Sequence, residues 1–187
     1  MIWFTSDLHF GHRNVIEYSK RPFANVEEMN QTLVKNWNAK VKDEDTVYII
    51  GDLSLGPFRD MKVFLEQLKG HKYLIKGNHD RYSIGQYLSI GFHVYHELKL
   101  EMLGKTFRLS HYPYAPSWFR KFFAYKSELR YLDRRAPRIR GEYLIHGHTH
   151  MKYKIRDRMI HVGVDAWNYS PVSLTQIEAL VAKGVDV

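Results

Sequence analysis

The chain has 187 residues, 44% hydrophobic and 26% charged, with 11 histidines, no cysteine and a net charge of +8. Those values fit one globular domain with a core of its own, and the lack of cysteine excludes disulfides and thiolate metal sites. No apolar run approaches the ~20 residues of a membrane span. The opening Met1-Ile2-Trp3-Phe4-Thr5 meets Asp7 without a basic n-region, so no signal peptide and a cytoplasmic location are expected.

Strands and helices alternate through the first half. Residues 1–6, 45–50 and 72–76 are short apolar runs of the kind buried strands make. After the first, Val15-Ile16-Glu17-Tyr18 reads as a short helical run with Asn14 as its N-cap. Val26, Met29, Leu33, Trp37 and Val41 fall at steps of three and four, an amphipathic helix that Asn25 caps with Glu28 three residues on. Met61, Phe64, Leu65 and Leu68 form a second stripe, with Gly70 at the expected C′ position. Ile84, Tyr87 and Leu88 form a third, stopped by Gly91. The period then changes to two. Leu98, Leu100 and Met102 alternate with charged residues, Gly104-Lys105 reads as a Gly-X turn, and Phe107 and Leu109 resume the alternation. Residues 143–146 and 159–164 read as further strands, and residues 176–182 as a closing helix.

The loops that follow these strands carry the chemistry. In order they are Asp7-Leu8-His9, Gly51-Asp52, Gly77-Asn78-His79-Asp80, His111 and Gly147-His148-Thr149-His150. Any one alone is weak, since an Asp-x-His pair or a single histidine is common. Asp80 aside, together they place two carboxylates, one amide and five imidazoles at strand ends, where α/β proteins assemble their sites. That donor set suits two adjacent divalent metals with a proton donor beside them, the usual device for hydrolysing phosphate esters. If the backbone stays extended, the spacing in Asp7-x-His9 and His148-x-His150 points both side chains of each pair the same way. His146 and His161 fall inside strands and read as packed side chains. His71, His93 and His96 have no motif context.

Taken in this order, the five blocks resemble the calcineurin-like metallophosphoesterases from Asp7 to His150. Asp7-Leu8-His9-Phe10-Gly11-His12 and Gly163-Val164-Asp165-Ala166-Trp167-Asn168 resemble the small single-domain members of bacteria and phages. The resemblance implies a four-layer α/β/β/α sandwich of two mixed β-sheets flanked by helices, formed by residues 1–187 as a single domain. It implies that Asp7, His9, Asp52 and His150 hold one metal and that Asp52, Asn78, His111 and His148 hold the other. His79 would then act at the leaving group, with Asp80 orienting its imidazole, and His12 would contact substrate phosphate. A carboxylate such as Asp52 can bridge two cations ~3.5–4 Å apart, and a hydroxide shared by the metals would attack the phosphorus in line. Nitrogen and oxygen donors without sulfur admit Mn²⁺, Fe²⁺, Co²⁺, Ni²⁺ or Zn²⁺, with Mn²⁺ preferred here. Leu53-Ser54-Leu55-Gly56 stands where the protein phosphatases of the superfamily carry an acidic-arginine motif, which argues against a phosphoprotein substrate.

Between His111 and His148 lies a basic, aromatic insert at about 112–141. It holds eight cations, Arg134, Arg135 and Arg138 among them, against Glu128 and Asp133. One reading is a substrate lid whose arginines hold phosphates. The other is an amphipathic helix pair or a dimer contact with a solvated basic face. The aromatics read as buried and the arginines as substrate-binding. Two functions follow. The first is a dinuclear-metal phosphodiesterase on a nucleotide or nucleic acid. The second is a non-catalytic protein-interaction or nucleic-acid-binding module on the same fold. A degenerate module typically loses ligands or the catalytic histidine, and this chain has all of them. The residue pattern sets no oligomeric state.

Overall fold

The computed structural model describes residues 1–115, 136–137 and 142–183. Arg134, Arg135, Arg138 and most of the insert lie outside the described residues. The chain runs β1 (Ile2–Thr5), α1 (Arg13–Tyr18), α2 (Val26–Asn38), β2 (Thr46–Ile49), α3 (Phe58–Leu65), β3 (His71–Ile75), α4 (Ile84–Ser89) and β4 (Phe92–Tyr95). It continues with β5 (Leu98–Met102), β6 (Lys105–Leu109), β7 (Tyr143–His146), β8 (Ile155–Arg156) and β9 (Met159–His161). A 3₁₀ turn (Val164–Ala166), β10 (Val172–Ser173) and α5 (Leu174–Ala182) follow.

Two five-stranded mixed sheets result, ordered β10-β1-β2-β3-β4 and β5-β6-β7-β9-β8. In the first, β1 to β4 are parallel and β10 is antiparallel to β1. In the second, β6, β7 and β9 are parallel, with β5 and β8 antiparallel at the edges. Alternation along the strands of the first sheet assigns its two faces. Trp3, Val47, Ile49 and Leu74 pack with the helices through Met29, Leu33, Trp37 and Leu65. Phe4, Ile50 and Ile75 point the other way, against Phe107, Leu109, Ile145 and Ile160 of the second sheet. The first sheet is buried on both faces, which is why its strands read as continuous apolar runs. Helix α5 adds Leu174, Ile177, Leu180 and Val181 to the inter-sheet cluster.

Several local expectations change. Helix α3 ends at Leu65, and Gly70 is not its C′ residue. Gly70 (φ 88°) instead opens β3 against Asp45 and Val41, where a Cβ would lie 2.9 Å from the Asp45 carbonyl. The hairpin turn is Leu103-Gly104, both with positive φ, so Met102 pairs with Lys105. Positive φ at both central residues is the type I′ pattern, which matches the strands' twist. Helix α1 begins at Arg13 with His12 at its N-cap, which leaves Asn14 inside the first turn. Strands β4, β8 and β10 have no counterpart in the sequence reading. Phe92 and Val94 of β4 do alternate into the helix-side core, but a four-residue edge strand gives a faint pattern.

Candidate metal centre

The loops that leave β1 and β2 keep pairing after the strands stop. Asp7 N donates to Gly51 O (3.1 Å), His9 N to Asp52 O (3.0 Å) and Phe10 N to Leu53 O (3.0 Å). Ser6 bridges Gly163 in parallel, joining the end of β1 to the segment after β9. The strand ends of both sheets are thereby brought to one place. Asp7, His9, Asp52, His148 and His150 all adopt positive φ, between 51° and 70°. Non-glycine residues rarely do so, and such strain collects at functional sites. It also changes how the paired residues meet. The backbone of Asp7-x-His9 and His148-x-His150 is not extended, so left-handed turns and not strand alternation bring their side chains together.

The side chains gather in two groups, Asp7, His9 and His150 in one and Asp52, His111 and His148 in the other. In each, the donor atoms lie within 4.8 Å of one another. Asp52 Oδ2 stands between the groups, 3.6 Å from His9 Nε2 and 3.4 Å from His111 Nε2. Asn78 Oδ1 is 3.2 Å from His111 Nε2, which is also 3.1 Å from His148 Nδ1. The other nitrogen of His111 faces Ile50 O at 2.8 Å, so that Nε2 is aimed at the cluster. Glycines make this density possible. A Cβ on Gly77 would overlap Asp52 Oδ1, and one on Gly147 would overlap the Ser6 hydroxyl.

These residues fit a pair of divalent cations. His9 Nε2 is buried and has no hydrogen-bond partner. Around His111 Nε2, a nitrogen and two oxygens converge where one proton can satisfy only one of them at a time. A cation satisfies all. Without metal, His111 is pushed up to about 9. Burial opposes its charge, but the hydrogen bond and charge of Asp52 prevail. Asp52 itself is held below the usual carboxylate range, again against burial, by the hydrogen bond and charge of His111. The Asp52–His111 pair thus favours a proton at a point whose donors fit a cation.

His79 and Asp80 do not form the expected dyad. Asp80 is buried, and its oxygens accept from the backbone N–H groups of Asp52 (2.8 Å), Leu53 (2.9 Å) and Gly77 (2.7 Å) and from the Tyr87 hydroxyl (3.4 Å). Its acceptor capacity goes to the loop backbone, so it pins the turns that carry Asp52 and Asn78 instead of orienting His79. His79 donates its backbone N–H to Asp52 Oδ1 (2.9 Å), and its ring Nδ1 has no partner. Its ring lies 5.4 Å from that of His9 and 5.8 Å from that of His12. His12 Nδ1 in turn sits 3.1 Å from His9 Nδ1. Burial, and then His79, hold the His12 imidazole below its ordinary value.

Two residues with buried side chains that carry the site were not assigned roles from sequence. Asp165 Oδ2 faces His150 Nδ1 at 2.9 Å, and Arg21 donates to both Asp165 oxygens at 2.9 Å. Arg21 also donates to the carbonyls of Asp7 (2.6 Å) and Leu8 (3.0 Å). One guanidinium therefore holds the left-handed turn at Asp7 and the carboxylate behind His150. Asp165 lay in a motif-like stretch, a signal that could have found it. Arg21 had no local signal, because its carbonyl and carboxylate partners lie 13 to 144 residues away.

The gathered side chains open into a cleft of about 370 Å³, lined by Tyr18, Ser19 and Lys20 together with Asn78, His79 and His148 to His150. Two mixed sheets whose loop ends converge on a carboxylate between two imidazole-rich groups define a metallophosphoesterase frame. The chain belongs to the calcineurin-like phosphoesterase superfamily, whose domain model matches residues 1–171. It is a metal-dependent phosphoester hydrolase of that family, with two candidate metal sites. It is 36% identical to an uncharacterised protein of Methanocaldococcus jannaschii, over 98% of this chain and 92% of that one. It is also 36% identical to the gene 66 protein of Mycobacterium phage L5, over 88% and 86%. A protein of unknown function from Aquifex aeolicus superposes with a TM-score of 0.70 at 27% identity, over 96% of this chain and 98% of that one. No helix among the described residues is long and apolar enough to cross a membrane.

Proposed function

We propose that the protein is a dinuclear-metal phosphodiesterase acting on a nucleotide or nucleic-acid substrate. The observation that carries the reading is the position of Asp52 Oδ2 between the two donor groups. On this reading Asp7, His9, Asp52 and His150 hold one metal and Asp52, Asn78, His111 and His148 the other, with Mn²⁺ the working ion. When bound, the metals activate a shared water and neutralise phosphoryl oxygens. The remaining work falls to the chain. Asn78 contributes a neutral oxygen, which leaves the positive charge of the centre for phosphate. His79, which lines the cleft beside the donor groups, supplies a proton at the departing oxygen. His12 stands next to it, within reach of a phosphate oxygen. Arg134, Arg135 and Arg138 add cations from the insert, and the site of action is the cytoplasm.

The test is metal counting joined to a substrate panel. Elemental analysis of Mn²⁺-loaded protein should give two equivalents, and Asp52→Ala should lose both, because on this reading its carboxylate is a ligand of both metals. The loaded protein should hydrolyse bis-p-nitrophenyl phosphate and oligonucleotides faster than p-nitrophenyl phosphate. At most one equivalent, or a preference for the monoester, would overturn the reading.

A further inference from the structure

The cleft contains more than metal donors and proton carriers. Tyr18, the last residue of the six-residue helix α1, contributes to its lining and is 55% exposed. A lone exposed tyrosine is ordinary on a protein surface. This one is set apart by its neighbours. Its ring stands 5.8 Å from that of His12, inclined at 65°, and 5.6 Å from that of His150, inclined at 88°. Neither imidazole lies parallel on it, so the two contacts fix the ring while more than half of the residue still faces solvent. His79, His12 and Tyr18 therefore form a run of rings, each 5.8 Å from the next, whose two ends, the proposed proton donor and Tyr18, line the cleft.

We propose that Tyr18 is a stacking platform for the nucleobase of the substrate. This rests on the phosphodiesterase reading above and deepens it: the base as well as the phosphate is recognised. In a nucleotide the planar base is joined to phosphate through a ribose, and the ring run offers the same order of features. The phosphate sits at the metal donors with an oxygen in reach of His12, the ester oxygen at His79 and the base against Tyr18, with the sugar between them. Base–aromatic stacking tolerates any base, because every base has a π face. The subsite therefore selects nucleotides as a class with little preference among sequences.

The experiment titrates Mn²⁺-loaded protein with three probes that it cannot hydrolyse. They are inorganic phosphate, a phosphonate analogue of AMP with CH₂ in place of the ester oxygen, and the same ribose phosphonate without a base. Wild type should bind the base-bearing phosphonate about five- to a hundredfold more tightly than the base-free one. Tyr18→Phe should keep that ratio and Tyr18→Leu should bring it close to one, while inorganic phosphate binds all three proteins alike. Equal affinities for the two phosphonates on wild type, or a ratio that survives Tyr18→Leu, would overturn the platform while leaving the phosphodiesterase reading intact. Absence of any phosphate binding to the wild-type protein would overturn both.

Discussion

At the scale of single residues the site depends on what each polar atom lacks or has. His79 has a ring nitrogen with no partner, and Asp80, next in the chain, is spent on three backbone amides. If His79 protonates the leaving oxygen, His79→Asn should keep both metals and slow turnover about 10²- to 10⁴-fold. The loss should shrink for p-nitrophenolate esters, whose leaving group needs little protonation. Equal losses for good and poor leaving groups would make His79 a structural residue. Asp165 works one step further back. It receives His150 Nδ1 and is itself gripped by Arg21, which fixes the tautomer and direction of a proposed metal ligand. Asp165→Asn should therefore weaken Mn²⁺ binding at the Asp7, His9 and His150 group about 10- to 100-fold. In calorimetric titration one of two equivalents should weaken and the other stay. Equal weakening of both equivalents would assign Asp165 to general stability.

At the scale of elements, strand ends decide the chemistry and strand neighbours decide acid sensitivity. His146 of β7 and His161 of β9 are register partners, fully buried, with rings 5.3 Å apart. Burial holds His161 well below its ordinary value, with His146 adding to the effect, and neither His161 ring nitrogen has a hydrogen-bond partner. An unfolded histidine titrates near pH 6.5, so below that pH the unfolded chain binds a proton that folded His161 refuses. Its contribution to stability is full above about pH 6.5 and declines as the pH falls. Unfolding free energies of metal-free protein, from urea titrations between pH 7.5 and 5, should fall more steeply for wild type than for His161→Leu. The difference in slope should approach about 1.4 kcal/mol per pH unit. Parallel curves would show that this imidazole is protonated equally in both states.

At the scale of the whole molecule, the two sheets bring loops from residues 7 to 165 to one edge, while most of the net charge of +8 sits in the insert between His111 and His148. On the proposed reading those cations act on affinity and not on chemistry. Neutralising Arg134, Arg135 and Arg138 together should raise KM for an oligonucleotide and leave kcat on a small aryl diester nearly unchanged. The dependence of KM on salt should flatten as well, since arginine–phosphate contacts release counterions. Identical salt slopes for wild type and variant would assign the three arginines to a solvated face or an oligomer contact.

The amphipathic stripe of α2 with its Asn25 cap, the apolar runs of β1 to β3 and the ordered motifs after them were all legible in the chain. Each depends on neighbours a few residues away, and side-chain period and capping chemistry are local. Membership of the phosphoesterase superfamily was legible for the same reason, because its motifs are short. What Asp80 does was decided only in three dimensions. Its sequence neighbour His79 suggested a dyad, but backbone amides from the loops after β2 and β3 claim its oxygens. Arg21 and Asp165 are 144 residues apart and meet only because β1 and the segment after β9 are joined at Ser6 and Gly163. The left-handed turns at Asp7, His9, Asp52, His148 and His150 belong to the same class. No residue type there favours positive φ strongly enough to announce it, so the conformation comes from tertiary hydrogen bonds that outweigh the local preference.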